Sequence, residues 1–386
     1  MNKELTKAFV DAFGYEPERE FVSPGRLEII GNHTDHNHGF AIVASASLYI
    51  RCVAKKRDDN IINFNSAGNK FYNIVAKESK PTEKEYSTTD SLIKGVVNGL
   101  LQRGYHVGGF DAYCVSEVPS GGGVSSSAAF ECLIGAIISA FYNNEKVSKM
   151  DLAKVSQFAE RDYFGKPCGI LDQIGCAYGG ISIVDFFDDK NPVVNNTSFP
   201  FKNLKIVLTN PGGSHAGLTD YYASIPNDMY HVAEILGKHY LREVSYKELK
   251  AYHKEHPDAF TYREYKRATH YFKECERVKE AYKALLSSNE EEFIRLINES
   301  GLSSSNTLKN TSVPHRYKNS PERALTIARK VAPKSAHRVH GGGFMGTIIS
   351  FIKPEEYDSF AKAMRETFGD KAVIDVSISP FGSVAL

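Results

Sequence analysis

Gly121, Gly122 and Gly123 are followed, after Val124, by Ser125, Ser126 and Ser127, and the run opens directly onto a mostly apolar stretch at residues 130–142. Glycines let backbone N–H groups turn inward on a ligand with no Cβ in the way. A helix that follows aims its positive dipole end at the same spot. The chemistry this predicts is anion binding, with phosphate as the expected guest. The P-loop pattern GxxxxGK[ST] needs a lysine after its last glycine, and none stands here, so the loop belongs to another class. Taken alone, the stretch also reads as a Gly/Ser turn capping a core helix.

Two further segments bear on that choice. The first holds Pro24, Gly25, Arg26, Ile30, Gly31, His33, Thr34, Asp35, Asn37 and Gly39, and the second runs His340, Gly341, Gly342, Gly343, Phe344 and, after Met345, Gly346. In their order and spacing the three elements resemble the signature motifs of the GHMP small-molecule kinases, and within that superfamily the galactokinases. A fourth block, Ala159-Glu160-Arg161 followed by Gly165, Lys166, Pro167, Cys168, Gly169, Ile170, Leu171, Asp172 and Gln173, resembles the family's AE-x4-G-x-PCGIMDQ segment. The resemblance runs from about residue 20 to the end.

The resemblance implies an α+β, two-domain GHMP kinase fold, with an N-terminal half like S5 domain 2, a ferredoxin-like C-terminal half and the active site in the inter-domain cleft. The implied division is 1–200 and 201–386. The implied reaction moves the γ-phosphoryl group of ATP to the anomeric hydroxyl of galactose. Such a transfer needs positioning, charge neutralisation and a group to receive the hydroxyl proton. Asp172 would be the base and Arg26 its partner, lowering the carboxylate pKa and stabilising charge on the transferred group. An N-cap role for Asp172 and a structural salt bridge for Arg26 are the competing readings. Ser127 and Glu160 would ligate Mg2+, hard oxygens for a hard cation, although a glutamate on a solvated helix face is also common. Gly121, Gly122, Gly123, Ser125 and Ser126 would hold the phosphates, and Gly341 to Gly343 would support the site by close backbone approach. Asn32, His33, Asp35, Gly169, Asp172 and Tyr222 would contact the sugar.

The sugar motif departs from the family in places. The glutamate before the HTD triplet is Asn32, and the tyrosine after it is His36. Asparagine still donates to and accepts from a hydroxyl, so galactose stays possible. It also removes a charge that would repel a C6 carboxylate by on the order of 4 kcal/mol at about 4 Å. Galacturonate and N-acetylgalactosamine are therefore alternatives, as is a non-catalytic galactose/ATP sensor, against which the complete Ser125 to Ala129 element and Asp172 argue. Tyr222, seven residues after His215, matches the family's sugar-binding tyrosine in position, but Ala223-Ser224-Ile225-Pro226 replaces the arginines that normally follow. A metal reading of His33, Asp35, His36 and His38 is weaker than the sugar reading, because three histidines around a glycine-ended turn rarely point at one centre.

The elements that must position these residues are read from composition and periodicity. The chain has 386 residues, 42% hydrophobic and 24% charged, with a net charge of +1. That length suits two domains, and that charge leaves no electrostatic footprint for nucleic acid or an anionic membrane. No run reaches the roughly 20 apolar residues of a membrane span, and the start lacks a signal-peptide centre. A monomeric, cytoplasmic protein is expected, and with no CxxC pair among six cysteines, no structural disulfide. Helices are predicted at 2–13, 90–103, 125–142 and 150–163, and helical periodicity covers 261–299. Strands are predicted at 41–53, 61–64, 109–118, 204–209 and 347–351, with a turn or boundary at 188–197. With no tryptophan, other side chains must sandwich the adenine.

Overall fold

The structure, a computed structural model, describes residues 2–67, 71–119, 123–213 and 217–386. They form two compact units, and where the sequence reading made one cut after residue 200 the units interleave. The first comprises residues to Leu27, Ala44–Gly180 and Ile378–Leu386, the second Glu28–Val43 and Ile181–Ser377. The strands β1 (Arg19–Ile30) and β2 (Phe40–Lys56) each cross from one unit to the other, so the segment that joins them, with the HTD triplet, belongs to the second.

The first unit is built on β1, β2, β3 (Ile61–Ser66), β4 (Phe71–Val75) and β5 (Phe110–Ser116), with Val384–Ala385 returning from the chain end to pair with β1 at Phe21 and Val22. β3 and β5 run parallel and the pairs β2·β5 and β3·β4 antiparallel. Helix α1 (Lys3–Phe13) starts on Asn2, whose side chain accepts the N–H groups of Glu4 and Leu5, and ends on left-handed Gly14. Its apolar stripe, Leu5 and Phe9, packs on Val53. Helices α2 (Thr89–Gln102), α3 (Ser126–Tyr142), α4 (Lys149–Phe158) and α5 (Leu171–Tyr178) complete the unit. Helix α3 buries residues on every face, including Ala128, Cys132, Leu133 and Ile137. An all-round apolar helix must be a core helix. Cys52 and Cys114 stand opposite each other in the β2·β5 register, Cα atoms 4.2 Å apart, and form a disulfide. This corrects the expectation of none; a pairing set by strand register between residues 62 positions apart leaves no local signature.

The second unit holds β6 (Ile181–Asp185) and β7 (Val193–Thr197), an antiparallel hairpin where only a turn was expected, because its turn residues end at about Pro192. The strands β8 (Lys205–Thr209), β9 (Ala336–Val339), β10 (Ile348–Ile352) and β11 (Val373–Val376) make an antiparallel sheet in the order β11-β8-β10-β9. That is the ferredoxin-like order. Between β8 and β9 lie α6 (Thr219–Ile235), α7 (Tyr246–Glu255), α8 (Tyr262–Leu286), α9 (Glu290–Ser303) and α10 (Pro321–Val331), and α11 (Tyr357–Phe368) follows β10. Val207, Ile348 and Ile352 pack against Ala324, Leu325, Ala328, Phe360 and Met364. Among the described residues no helix is long and apolar enough to cross a membrane.

Candidate active site

In the first unit, the phosphate-loop residues converge with the fourth block. Of the loop, Gly121 and Gly122 lie outside the described residues, while Gly123 takes φ +75°. Ser125 adopts left-handed φ 60° just before α3, a conformation few non-glycine residues accept and one that gathers at ligand sites. Ser126 opens the helix, and the Ser127 hydroxyl donates to Glu160 Oε1 at 2.8 Å. Glu160 lies in a π-turn, Ala159–Tyr163, that continues α4, and its side chain is 1% exposed. Its Oε2 accepts from Gln173 Nε2 at 2.7 Å, and Lys166 Nζ donates to Oε1 at 2.6 Å. Buried Glu131 is pushed well above the usual carboxyl range by its burial and then by the charge of Glu160.

Asp172 sits in the first turn of α5 but does not cap it; the N-cap position is Ile170. Its Oδ1 accepts instead from Arg26 Nε at 2.8 Å and Nη2 at 2.5 Å. Burial pushes the Asp172 carboxyl up, and Arg26, with smaller help from Ser125 and Lys166, more than offsets this and leaves it below its ordinary range. Arg26 is brought here by Gly25. A Cβ on Gly25 would stand 2.8 Å from Val124 O, the same oxygen that accepts the Arg26 N–H at 3.0 Å. Arg26 Nη1 also donates to Gly123 O at 3.2 Å. The structure thus brings Arg26, Gly123, Ser125, Ser127, Glu160 and Asp172 together, with Gly169 exposed just ahead of α5.

In the second unit, the sugar motif is held by the third glycine motif and by α8. His33, at φ 59°, donates from Nε2 to Gly342 O at 2.9 Å, and the Tyr222 hydroxyl donates to Gly343 O at 2.8 Å. A Cβ on Gly342 would meet the Tyr222 ring at 2.7 Å, so only glycine lets both contacts form. Each of the three motifs carries non-glycine backbone in the left-handed region: His33 and His38 in the first, Ser125 in the second and Phe344 in the third. Burial lowers the His33 pKa to about 4, so its imidazole is neutral at pH 7, and burial raises the Tyr222 hydroxyl to about 12. The Asn32 side chain is buried against Ser304, Nδ2 to Oγ 3.3 Å, and the Asn32 backbone carbonyl accepts from His270 Nε2 at 3.2 Å. Asp35 opens a single 3-10 turn, Asp35–Asn37. The His38 ring stacks on Tyr240 at 3.9 Å, and among the described residues no group of three or more His, Cys, Asp or Glu could hold a metal ion.

Several supporting residues were missed by the sequence reading. Glu274 of α8 accepts the Gly31 N–H at 3.1 Å and the Ser300 hydroxyl at 2.5 Å. Burial raises its carboxyl, but Arg277, His270 and Arg338 bring it down to about 2. His340 Nε2 accepts the Glu28 N–H at 3.0 Å. Gln173 was quoted in the fourth block without a role; its position next to Asp172 was the available signal.

Residues 7–56 match the galactokinase galactose-binding signature and residues 91–180 the GHMP kinases N terminal domain. A galactokinase of Clostridium tetani is 29% identical over 95% of this chain and 92% of its own, and one of Streptococcus thermophilus 28% identical over 95% and 93%. The crystal structure of Lactococcus lactis galactokinase complexed with galactose superposes with a TM-score of 0.82 at 25% identity, covering 99% of both chains. The fold is the two-domain GHMP kinase fold, and the chain is a galactokinase-like sugar kinase.

Proposed function

We propose that the protein transfers the γ-phosphoryl group of ATP to the anomeric hydroxyl of galactose, giving galactose 1-phosphate and ADP. The observation that carries this reading is the Arg26–Asp172 pair beside the Ser127–Glu160 pair, in a chain bearing the galactose-binding signature. Asp172 holds the sugar hydroxyl and takes its proton at a carboxylate oxygen. A carboxylate held below its usual range is a weak base, so orienting the hydroxyl is a large part of its work. Arg26, always charged, stabilises negative charge on the transferred group. The dipole end of α3 and the loop N–H groups bind the phosphates.

Magnesium fits this site. Ser127 Oγ and the Glu160 carboxylate are hard oxygens already 2.8 Å apart, and Mg2+ commonly binds through one or two protein oxygens plus substrate phosphates. Bound there, the ion would neutralise phosphate charge. His33, Asp35, Asn32 and Tyr222, with Gly169 and Asp172, would contact the sugar, with neutral His33 holding Nδ1 as an acceptor because Nε2–H is committed to Gly342. Monomeric state and cytoplasmic residence belong to the same proposal. The test is sugar-dependent ADP release across a panel of hexoses, hexosamines and uronates; none with any sugar would overturn the reading.

A further inference from the structure

Lys166 stands at the variable position of the fourth block, between Gly165 and Pro167. Its backbone is fixed, because the Lys166 N–H donates to Glu160 O at 3.0 Å. Its side chain is more than half exposed, 55%, yet the ammonium turns back to Glu160 Oε1 at 2.6 Å. That oxygen is the one that also accepts from Ser127. The two residues proposed as metal ligands therefore meet at an atom already holding a cation.

The charge pattern explains why. Glu160 is buried beside Asp172, and an uncompensated buried carboxylate is costly. Arg26 answers Asp172 with two hydrogen bonds to Oδ1, and Lys166 answers Glu160 with one. Unlike a guanidinium, an ammonium is a compact point charge on a flexible stem and can leave its partner without breaking a bidentate fork. The exposed stem gives it room to move.

We propose that Lys166 is the resident counter-cation of the metal position: it holds Glu160 in its liganding conformation and competes with Mg2+ for Oε1. Lys166 is on this account a positioning residue, and it sets how much magnesium the protein needs to bind nucleotide. The inference rests on the assignment of Ser127 and Glu160 as metal ligands made above.

The experiment measures ADP binding by calorimetry at graded free Mg2+, without turnover, for wild type, Lys166→Met, Lys166→Arg and Glu160→Gln. Removing a competitor that occupies the liganding state most of the time lowers the half-saturating Mg2+ by about fivefold in Lys166→Met. Lys166→Arg keeps a cation on Oε1, one that leaves less readily, and brings the midpoint back to the wild-type value or above it. Glu160→Gln weakens the magnesium dependence itself. An unchanged or raised midpoint in Lys166→Met overturns the competition. Wild-type magnesium dependence in Glu160→Gln overturns the ligand assignment instead, so the two failures are told apart. Because the Lys166 side chain is largely exposed, its variants keep the fold, which equal thermal midpoints without Mg2+ within a few degrees would establish.

Discussion

Arg26 donates from both Nε and Nη2 to a single oxygen, Oδ1, of Asp172, at 2.8 and 2.5 Å. The pair is thus built to keep the carboxylate ionised, with orientation ahead of basicity. Asp172→Asn keeps the size and loses the charge. The expected outcome is a fall in kcat of about 10²-fold or more with sugar affinity within an order of magnitude, since the role is realised at transfer. Steady-state kinetics together with direct sugar binding checks it, and full turnover in Asp172→Asn would remove this residue from the mechanism.

His33 and Tyr222 both hang from the carbonyls of the third glycine motif, at Gly342 and Gly343. Gly342→Ala puts a methyl 2.7 Å from the Tyr222 ring, and the ring must shift. The losses of one or two hydrogen bonds predict a rise of about tenfold in KM for the sugar, with ADP affinity unchanged. Equal weakening of both ligands would point to general misfolding instead.

Stability should depend on pH in a defined window. Burial lowers His270 and His337 to about 4. His337 is satisfied as a neutral ring, with Nε2–H on Ala332 O at 2.8 Å and the Ser350 hydroxyl on Nδ1 at 2.9 Å. Below about pH 6.5 the unfolded chain binds protons that the folded chain refuses, so stability falls as pH drops from about 6.5 toward 4, by up to ~1.4 kcal/mol per pH unit for each ring. Above about 6.5 these rings contribute nothing to the slope. Denaturant midpoints at pH 7.5, 6.5 and 5.5 measure the effect, and His337→Gln should make the acid slope shallower by close to one proton.

Much of the fold was legible because apolar periodicity and end signals agree. Asn2 and Gly14 bracket α1, α3 begins within the serine run, and the predicted strands at 41–53 and 61–64 became β2 and β3. The helical stretch 261–299 became two helices, because Ser288 takes φ 53° and breaks it. The motifs named Arg26, Ser127, Glu160 and Asp172, which the structure brings together, and His33, which bonds to Gly342 O. The contacts of their supports were hidden: Lys166 and Gln173 stand in the fourth block, but their bonds to Glu160, like that of Glu274 to Gly31, have no local pattern. The interleaved units escaped for the same reason: the segment 28–43 is fixed by Glu274, His340 and Gly342, each far away in sequence.

Asn32 is the clearest departure from the family's sugar motif. Its amide faces the Ser304 hydroxyl, a group that can donate to a carboxylate. With galactose as substrate, Asn32→Glu should be tolerated or should raise kcat/KM. With a C6 carboxylate on the substrate, the same change should cost on the order of 10²-fold or more through charge repulsion. Parallel kinetics of the variant on galactose and galacturonate distinguish the two.

The central claim is tested most directly by wild-type kcat/KM for galactose, galacturonate and N-acetylgalactosamine, measured side by side with ATP and Mg2+, with the product identified by 31P NMR. The account predicts galactose as the preferred substrate and phosphate on its C1 oxygen. A preference of about tenfold or more for either other sugar, or phosphate on any other oxygen, would contradict it.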